Sequence, residues 1–459
     1  MHHVHFIAIG GAAMHNLAIA ISKKSSYKVT GSDDEIFDPS YSRLKAHGLL
    51  PEKIGWFPEK IDQSLDAVIL GMHAKADNPE LLKAKEIGLK IYSFPEYLYE
   101  QTKHKTRIVV GGSHGKTSTT AMILHVFKQL YIDADYMVGA QIEGFDNMVK
   151  LSTDTKIAVF EGDEYLTSPI DLRPKFHLLK PHIAILTGIA WDHINVFPTF
   201  EIYVEQFRKF IDIIEPAGKL IYFDGDKQLQ LIAKTLRNDI VALPYNTPAY
   251  EIREGISYLK TNTGAVAIKT FGEHNLQNLR AAQLACEQVG VSSEQFYQAI
   301  ATFEGASNRL QKIAETATSV AYKDFAHAPS KLQASLHAVR KQYPNKQLIA
   351  CMELHTYSSL TQAFLSEYAG TMAEADIAYI YFNPKVIAHK RLEPIDPAYV
   401  KQAFGGNNVE VFTDSDALVA KLHSHHYVNT ALLLMTSGNF SGVNLGELGK
   451  ELLKIDNEQ

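Results

Sequence analysis

Residues Ile108 to Leu124 read IVVGGSHGKTSTTAMIL. Three apolar β-formers run into two glycines. Ser113, His114, Gly115, Lys116 and Thr117 come next, and Ser118 opens a run of small residues at helical spacing. The pattern predicts strand, phosphate loop, helix. Glycines let backbone N–H groups close on phosphate oxygens, and a helix N-terminus adds unpaired donors and a partial positive charge. Lys116 is placed to reach β- and γ-phosphates, and Thr117 to hold Mg²⁺. The full pattern G-x-x-x-x-G-K-[ST] asks for glycine at 110, where Val110 stands, so the motif is the short form Gly112 to Thr117. A chance Gly-Lys-Thr in a loop would lack the flanking strand and helix. The stretch therefore predicts that a nucleoside triphosphate binds here.

At 459 residues the chain exceeds one ordinary core, and about 150 residues per domain suggests three. It is 46% hydrophobic and 21% charged, within the range of globular proteins. A net charge of −6 gives no reason to expect nucleic acid. Two cysteines, Cys286 and Cys351, make no disulfide framework and suit a reducing cytosol, so a cytoplasmic location is expected. No apolar run reaches the roughly 18 residues of a spanning helix, and the N-terminal apolar stretch is broken by Gly10-Gly11. Neither signal peptide nor membrane anchor is expected. Composition says nothing of oligomeric state.

Around the loop the chain alternates strands and helices, an α/β pattern. Val4 to Ile9 reads as a buried strand, Gly10-Gly11-Ala12-Ala13-Met14 as a turn, Asn16 to Ser22 as a helix, and Tyr27 to Gly31 as a second strand before Ser32-Asp33-Asp34. A glycine turn with an acid about 20 positions on suggests a Rossmann-like unit. Ala8 and Ala13 stand where the outer glycines of a dinucleotide fingerprint would be. Asp66 to Gly71 and Leu89 to Tyr92 continue the sheet, and Tyr99 to Lys105 reads as a polar lead into the next domain. In the central unit, strands at Ile157 to Phe160 and His182 to Thr187 end in Glu161-Gly162-Asp163-Glu164 and Trp191-Asp192-His193. Ligands of parallel α/β sheets sit at such carboxyl ends, so Glu161 and His193 are candidate metal partners beside a triphosphate. Residues 218 to 270 read as short strands and turns. Gly272 to Asn278 opens a helix, where Asn275 and Asn278 suit an adenine edge or an N-cap. A third unit begins near Ala314, with strands at Ser319 to Tyr322, Gln347 to Glu353, Ile377 to Tyr381, Val409 to Phe412 and Ala431 to Met435.

Taken together these clusters resemble the Mur ligases, ATP-dependent amide ligases of peptidoglycan precursors, and the resemblance covers the whole chain. Gly112-Ser113-His114-Gly115-Lys116-Thr117 looks like the family's G-T-x-G-K-T. Glu161 resembles its magnesium glutamate and Asp192-His193 its D-H pair, so Thr117, Glu161 and His193 are the implied metal ligands. His274, Asn275 and Asn278 resemble its adenine segment, and Arg309 its phosphate-binding arginine. Asp324 and His327 resemble the D-D-Y-G-H-H-P motif that closes the third domain over the site. The implied architecture is a Rossmann-like UDP-sugar domain (1–104), a central P-loop ATP domain (105–313) and a Rossmann-like C-terminal domain for the amino acid or peptide (314–459). Gly10, Gly11, Ala12, Met14 and Asp33 are then implied to hold a UDP-sugar.

Within the family, two branches begin with such a Rossmann-like domain. One joins L-alanine to UDP-N-acetylmuramate, the other joins a whole tripeptide to it in peptidoglycan recycling. The chain is more similar to the tripeptide branch at Glu164-Tyr165 with Asp171-Leu172-Arg173-Pro174-Lys175-Phe176, at Asp324-Phe325-Ala326-His327, at Glu353, and at Gly438-Asn439-Phe440-Ser441-Gly442. It departs from the family pattern at Lys323, Ala328, Asn308 and His355-Thr356-Tyr357. The implied reaction passes through an acyl phosphate, with Lys116, His193, Arg309, Asp324 and His327 as the working residues. Other classes explain less. An NAD-dependent oxidoreductase accounts only for residues 1 to 34. A homologue that lost catalysis and only binds nucleotide would fit the third-domain departures. A folate polyglutamate ligase shares the loop but not the N-terminal unit.

Overall fold

Short apolar runs bounded by turn residues become buried parallel strands, and the helices joining them cover both faces. The computed structural model describes residues 1–142, 144–191, 196–305 and 309–454. The first sheet holds β1 (His2–Ile7), β2 (Tyr27–Ser32), β3 (Ala67–Leu70) and β4 (Ile91–Ser93), all parallel, in the order β2-β1-β3-β4. Helices α1 (Ala12–Ser22), α2 (Ser40–Ala46), α3 (Pro79–Glu86) and α4 (Phe94–Thr102) accompany it. Alternation along β1 divides the core. Val4 and Phe6 pack with α1 and α4, while Ile7 packs with Leu81 and Ala84 of α3.

Two local readings change. Helix α1 begins at Ala12, not Asn16, because Gly11 already serves as its N-cap. Tyr99 to Thr102, read as a polar lead, is the last turn of α4. Ser93 and Glu96 form a capping box at the start of that helix, with Pro95 in its first turn.

The central sheet takes β5 (Thr106–Gly111), β6 (Asp135–Met137), β7 (Val149–Lys150) and β8 (Ile157–Glu161). A small hairpin, β9 (Leu166–Ser168) with β10 (Asp171–Pro174), stands apart. The sheet then adds β11 (Ile183–Leu186), β12 (Lys219–Phe223) and β13 (Val241–Tyr245). Its order is β13-β12-β11-β5-β8-β6-β7, parallel except for the edge strand β7. Helices α5 (Lys116–Gln129), α6 (Phe200–Asp212) and α7 (Lys227–Ala233) belong to it. Helix α7 lies inside the stretch read as strands and turns. Asp226 makes it possible by accepting from the backbone N–H groups of Gln228 and Leu229.

The first and central sheets are bolted together at two places. Arg107, at the start of β5, is fully buried. Its guanidinium donates to the carbonyls of Thr102, Lys103, Lys105, Leu179 and Lys180 at 2.9–3.1 Å, and to Glu215 Oε1 at 2.7 Å. The ring of Tyr99 lies 5.0 Å from it. On the other side, Asn16 of α1 meets the segment before β7. Asn147 Nδ2 donates to Asn16 O at 2.8 Å, and Met148 N to Asn16 Oδ1 at 3.2 Å. Arg43 adds 2.8 Å to Asn147 Oδ1.

The chain packs as two compact units. One is Met1–Asn246 with Gln277–Ile300; the other is Thr247–Leu276 with the chain from Ala301 onward. The second unit has an antiparallel sheet of β14 (Tyr250–Arg253), β15 (Ile256–Thr261) and β16 (Gly264–Ile268). Helices α8 (Glu273–Glu287) and α9 (Ser293–Ile300) follow, and the unit boundary falls within α8. The last sheet holds β17 (Gln311–Glu315), β18 (Val320–Asp324), β19 (Gln347–Leu354), β20 (Ile377–Phe382), β21 (Val409–Phe412) and β22 (Thr430–Met435). Its order is β17-β18-β22-β19-β20-β21, with only β17 antiparallel. Helix α10 (Pro329–Gln342) packs Leu332, Leu336 and Val339 onto it. Among the described residues no helix is long and apolar enough to cross a membrane.

Candidate active site

Register places the chemistry. Val110 lies opposite Glu161 and Gly111 opposite Leu186, so the phosphate loop, Glu161 and the chain from Thr187 leave the sheet side by side. The loop needs two glycines for its shape. Gly112 has φ 129° and Gly115 φ 71°. A β-carbon on Gly112 would overlap Thr187 Oγ1, and one on Gly115 would overlap Asn278 Oδ1. Ser113 N donates to Gly188 O at 3.0 Å, and Thr187 Oγ1 donates to His114 O. Gly115 is also the N-cap of α5, so Lys116, Thr117 and Ser118 form the first turn with its unpaired N–H groups. Gly115→Ala is expected to weaken ATP binding at least about tenfold, through backbone strain and the clash with Asn278. Calorimetric titration reads this, and a change below about twofold would count against the loop assignment.

Lys116 Nζ donates to Gly112 O and to Glu164 Oε2, both at 2.7 Å. Burial alone would lower its pKa, but the carboxylates of Glu164, Asp163 and Glu161 more than offset this and hold it above the usual lysine value. Thr117 Oγ1 donates to Glu161 Oε1 at 2.9 Å, and Gly139 N donates to Glu161 Oε2 at 2.7 Å. Burial pushes the Glu161 carboxyl above the ordinary range, opposed by Gly139 N–H and Lys116. A half-buried carboxylate beside a threonine hydroxyl is a hard oxygen pair that suits Mg²⁺. Among the described residues no group of three or more His, Cys, Asp or Glu could enclose a metal. Mg²⁺ commonly takes one or two protein oxygens and fills its octahedron with phosphate and water, so the pair fits. His193 and its neighbour Asp192 lie outside the described residues, as does Asn308.

The structure thus brings together Gly112, Ser113, His114, Gly115, Lys116, Thr117, Ser118, Glu161 and Asn278. It also shows partners that sequence reasoning missed. Tyr203, Gly139, Thr187 and Asp226 reach the site from separate segments that no local motif marks, and Glu164, read in the sequence only as part of the Glu161–Glu164 cluster and of the likeness to the tripeptide branch, pairs with Lys116. Asp226 Oδ2 accepts from Ile189 N at 2.6 Å, steadying the chain that leads to Trp191.

In the same unit, the turn after β1 is shaped by Asp33. Its Oδ2 accepts from Gly10 N at 2.6 Å, and burial raises its pKa. Gly11 caps α1, which carries Ala12 and the buried Met14. The acid therefore braces the glycine turn from beneath.

The other expected residues belong to the second unit. His274 is lowered in pKa by burial, opposed by the charge of Asp324. Asn275 Nδ2 donates to Phe271 O at 3.0 Å, so this amide braces the start of α8. Asp324 Oδ1 accepts from Leu310 N at 3.1 Å and Phe325 N at 2.8 Å, and Oδ2 from Ser335 Oγ. Arg309 stacks over the Phe325 ring at 4.6 Å, and His327 Nδ1 meets Phe325 O at 2.8 Å. Asp324 thus shapes the turn that carries His327. Glu353 is held by Thr436 Oγ1 and by Phe440 N at 2.9 Å.

Comparison with known proteins agrees with this layout. The profile "Mur ligase family, catalytic domain" matches residues 3–106, "Mur ligase middle domain" matches 110–286, and "Mur ligase, glutamate ligase domain" matches 308–438. The UDP-N-acetylmuramate–L-alanine ligase of Carboxydothermus hydrogenoformans is 28% identical, over 97% of this chain and 96% of its own. The UDP-N-acetylmuramate–L-alanyl-γ-D-glutamyl-meso-2,6-diaminoheptandioate ligase of Haemophilus influenzae is 27% identical, over 99% of this chain and 100% of its own. In fold, the crystal structure of a murein peptide ligase from Psychrobacter arcticus superposes with a TM-score of 0.65 at 23% identity, covering 98% and 99% of the two chains. Three domain profiles matched in order show that the chain belongs to the Mur ligase family, three-domain ATP-dependent ligases that form amide bonds.

Proposed function

We propose that the chain joins the carboxylate of UDP-N-acetylmuramate to the amine of the peptide L-Ala-γ-D-Glu-meso-diaminopimelate, in peptidoglycan recycling in the cytoplasm. The observation that carries the chemistry is the cluster of Lys116, Thr117 and Glu161 at the open end of one sheet. The domain limits 1–104, 105–313 and 314–459 are part of the proposal. A UDP-sugar would lie at Gly10, Gly11, Ala12, Met14 and Asp33, and adenine near His274, Asn275 and Asn278.

The muramyl carboxylate oxygen attacks the γ-phosphorus, the bond to the bridging oxygen breaks, and ADP leaves. The amine then attacks the acyl carbon, phosphate leaves, and the amine gives up a proton. The protein forms no covalent bond; it positions and neutralises. Lys116 carries its charge to the phosphates. Thr117 and Glu161, with His193 as the third proposed ligand, would hold Mg²⁺, which when bound neutralises charge on the β- and γ-phosphates. Arg309 is proposed to steady the acyl phosphate, and Asp324 and His327 to orient phosphate or amine.

The choice of peptide is supported by the stretch from Glu164 to Phe176. It forms the β9–β10 hairpin, closed by Lys175 N on Tyr165 O and Phe176 N on Asp163 O, each at 3.0 Å. A second reading, L-alanine as the amine, is favoured by the 28% identity to an L-alanine ligase across 97% of this chain. An ADP-release assay with UDP-N-acetylmuramate separates them. The peptide is expected to support turnover at least about tenfold better in kcat/KM than L-alanine. The reverse order establishes the second reading, and no ADP release with either amine overturns both.

A further inference from the structure

Resting on the ATP-binding reading above, we propose that Glu164 is a positioning residue. It fixes the Lys116 ammonium for the triphosphate and is itself fixed by a one-way hydrogen-bond chain through Tyr203 and Ser113. Glu164 Oε2 accepts from Lys116 at 2.7 Å, Tyr203 OH lies 3.2 Å from Glu164 Oε1, Ser113 Oγ lies 2.8 Å from Tyr203 OH, and Ala190 N lies 2.9 Å from Ser113 Oγ. Glu164, Tyr203 and Ser113 are all buried.

The ends of this chain decide every proton in it. An ionised carboxylate only accepts, so Tyr203 donates to Glu164. The Tyr203 oxygen then accepts from the Ser113 hydroxyl, whose oxygen accepts the Ala190 N–H. All the dipoles point toward Glu164, and such aligned chains reinforce one another. The path joins the phosphate loop, helix α6, the segment after β8 and the segment that leads to Trp191. Its output is one atom, Lys116 Nζ. Of the three donors there, Gly112 O takes one and Glu164 a second; the third is what a phosphate oxygen would use. Stability gives little reason to keep this arrangement, since buried ion pairs can often be replaced by apolar residues without loss. The neighbouring acid, Asp163, is already engaged by Lys175 at 2.6 Å, so Glu164 is the carboxylate committed to the loop lysine.

The test is a double-mutant cycle on the full chain, read by calorimetric binding of ATP in the presence of magnesium. With Lys116 in place, Glu164→Gln removes the charge that holds the ammonium and is expected to weaken ATP binding about tenfold. In a Lys116→Met background, Glu164 is a carboxylate beside the phosphates without its ammonium partner, so Glu164→Gln is expected to tighten binding about tenfold. The opposite signs mark action through Lys116. Equal effects in the two backgrounds overturn the proposal, because a merely structural role would not change sign. Tyr203→Phe removes only one hydroxyl. It is expected to weaken ATP binding about threefold alone and not at all beyond Glu164→Gln. Should Glu164→Gln fail to fold, Tyr203→Phe in the two Lys116 backgrounds decides: a loss only with Lys116 present supports the proposal, and an equal loss in both overturns it. A wild-type chain that binds ATP but releases no ADP with UDP-N-acetylmuramate and either amine overturns the ligase reading alone. One that releases ADP but gives an additive cycle overturns this inference alone.

Discussion

Lys116→Ala should reduce ADP release about 10³-fold, to the floor of the assay, while UDP-N-acetylmuramate binds as in the wild type. The loss is large because Lys116 is the cation that the loop itself carries. Lys175, which shares the acidic cluster, is already paired with Asp163. Truncation also leaves Glu164 as a buried carboxylate without its 2.7 Å partner, adding a negative charge where phosphates must come. Sugar binding is spared if it takes place, as proposed, at the Gly10–Asp33 turn, which is held by its own contact at 2.6 Å. Calorimetry with UDP-N-acetylmuramate and a coupled ADP assay read the two halves. Full ligase activity in the variant would remove the phosphate loop from the mechanism.

The second large effect concerns stability. Arg107→Met should lower the free energy of the first unfolding transition in urea by about 3–5 kcal/mol, without a comparable loss from Lys103→Met nearby. Methionine approximates the stem but supplies no donors. Five carbonyls and the partly exposed Glu215 then lose the guanidinium as donor. Burial already lowers the Arg107 pKa, opposed by Glu215 and Tyr99, so the charge is tolerated there only because it is surrounded by acceptors. The first transition is the proper observable, since a chain of several sheets need not unfold in one step. A change below about 1 kcal/mol would mean that water replaces the guanidinium without cost.

What was legible in the chain was whatever is local. Lys116, Thr117 and the glycines all fall between Gly111 and Thr117, and their chemistry depends on one loop, so Ile108 to Leu124 announced itself. Strands with unbroken apolar runs, such as Leu432 to Met435, were equally plain, because parallel strands are covered on both faces. The misread segments were decided by caps. Tyr99 to Thr102 looked like a linker because its residues are polar, but Ser93 and Glu96 had already started the helix. Residues 227 to 233 were lost among turn formers because one side chain, Asp226, nucleates that helix. Glu164, Tyr203 and Ser113 could not be linked in advance. They are 39 and 90 residues apart, and tyrosine on an amphipathic helix reads as core until its hydroxyl is seen to point at a carboxylate. Asn278 is a middle case. Its place in the sequence suggested a base contact, and the fold sets it against Gly115, where it closes the loop from the side.

The bolts at Arg107 and at Asn16 with Asn147 have a consequence for substrate choice. They make the Gly10–Gly11 turn and the phosphate loop parts of one body. If the UDP-sugar lies at that turn, as proposed, its distance to a γ-phosphate on the loop is set by the packing within that unit. For the ligase proposed here, an acceptor is selected by its length: the arm between uridine diphosphate and carboxylate must span that distance, and one a few bonds shorter would be held firmly and never phosphorylated.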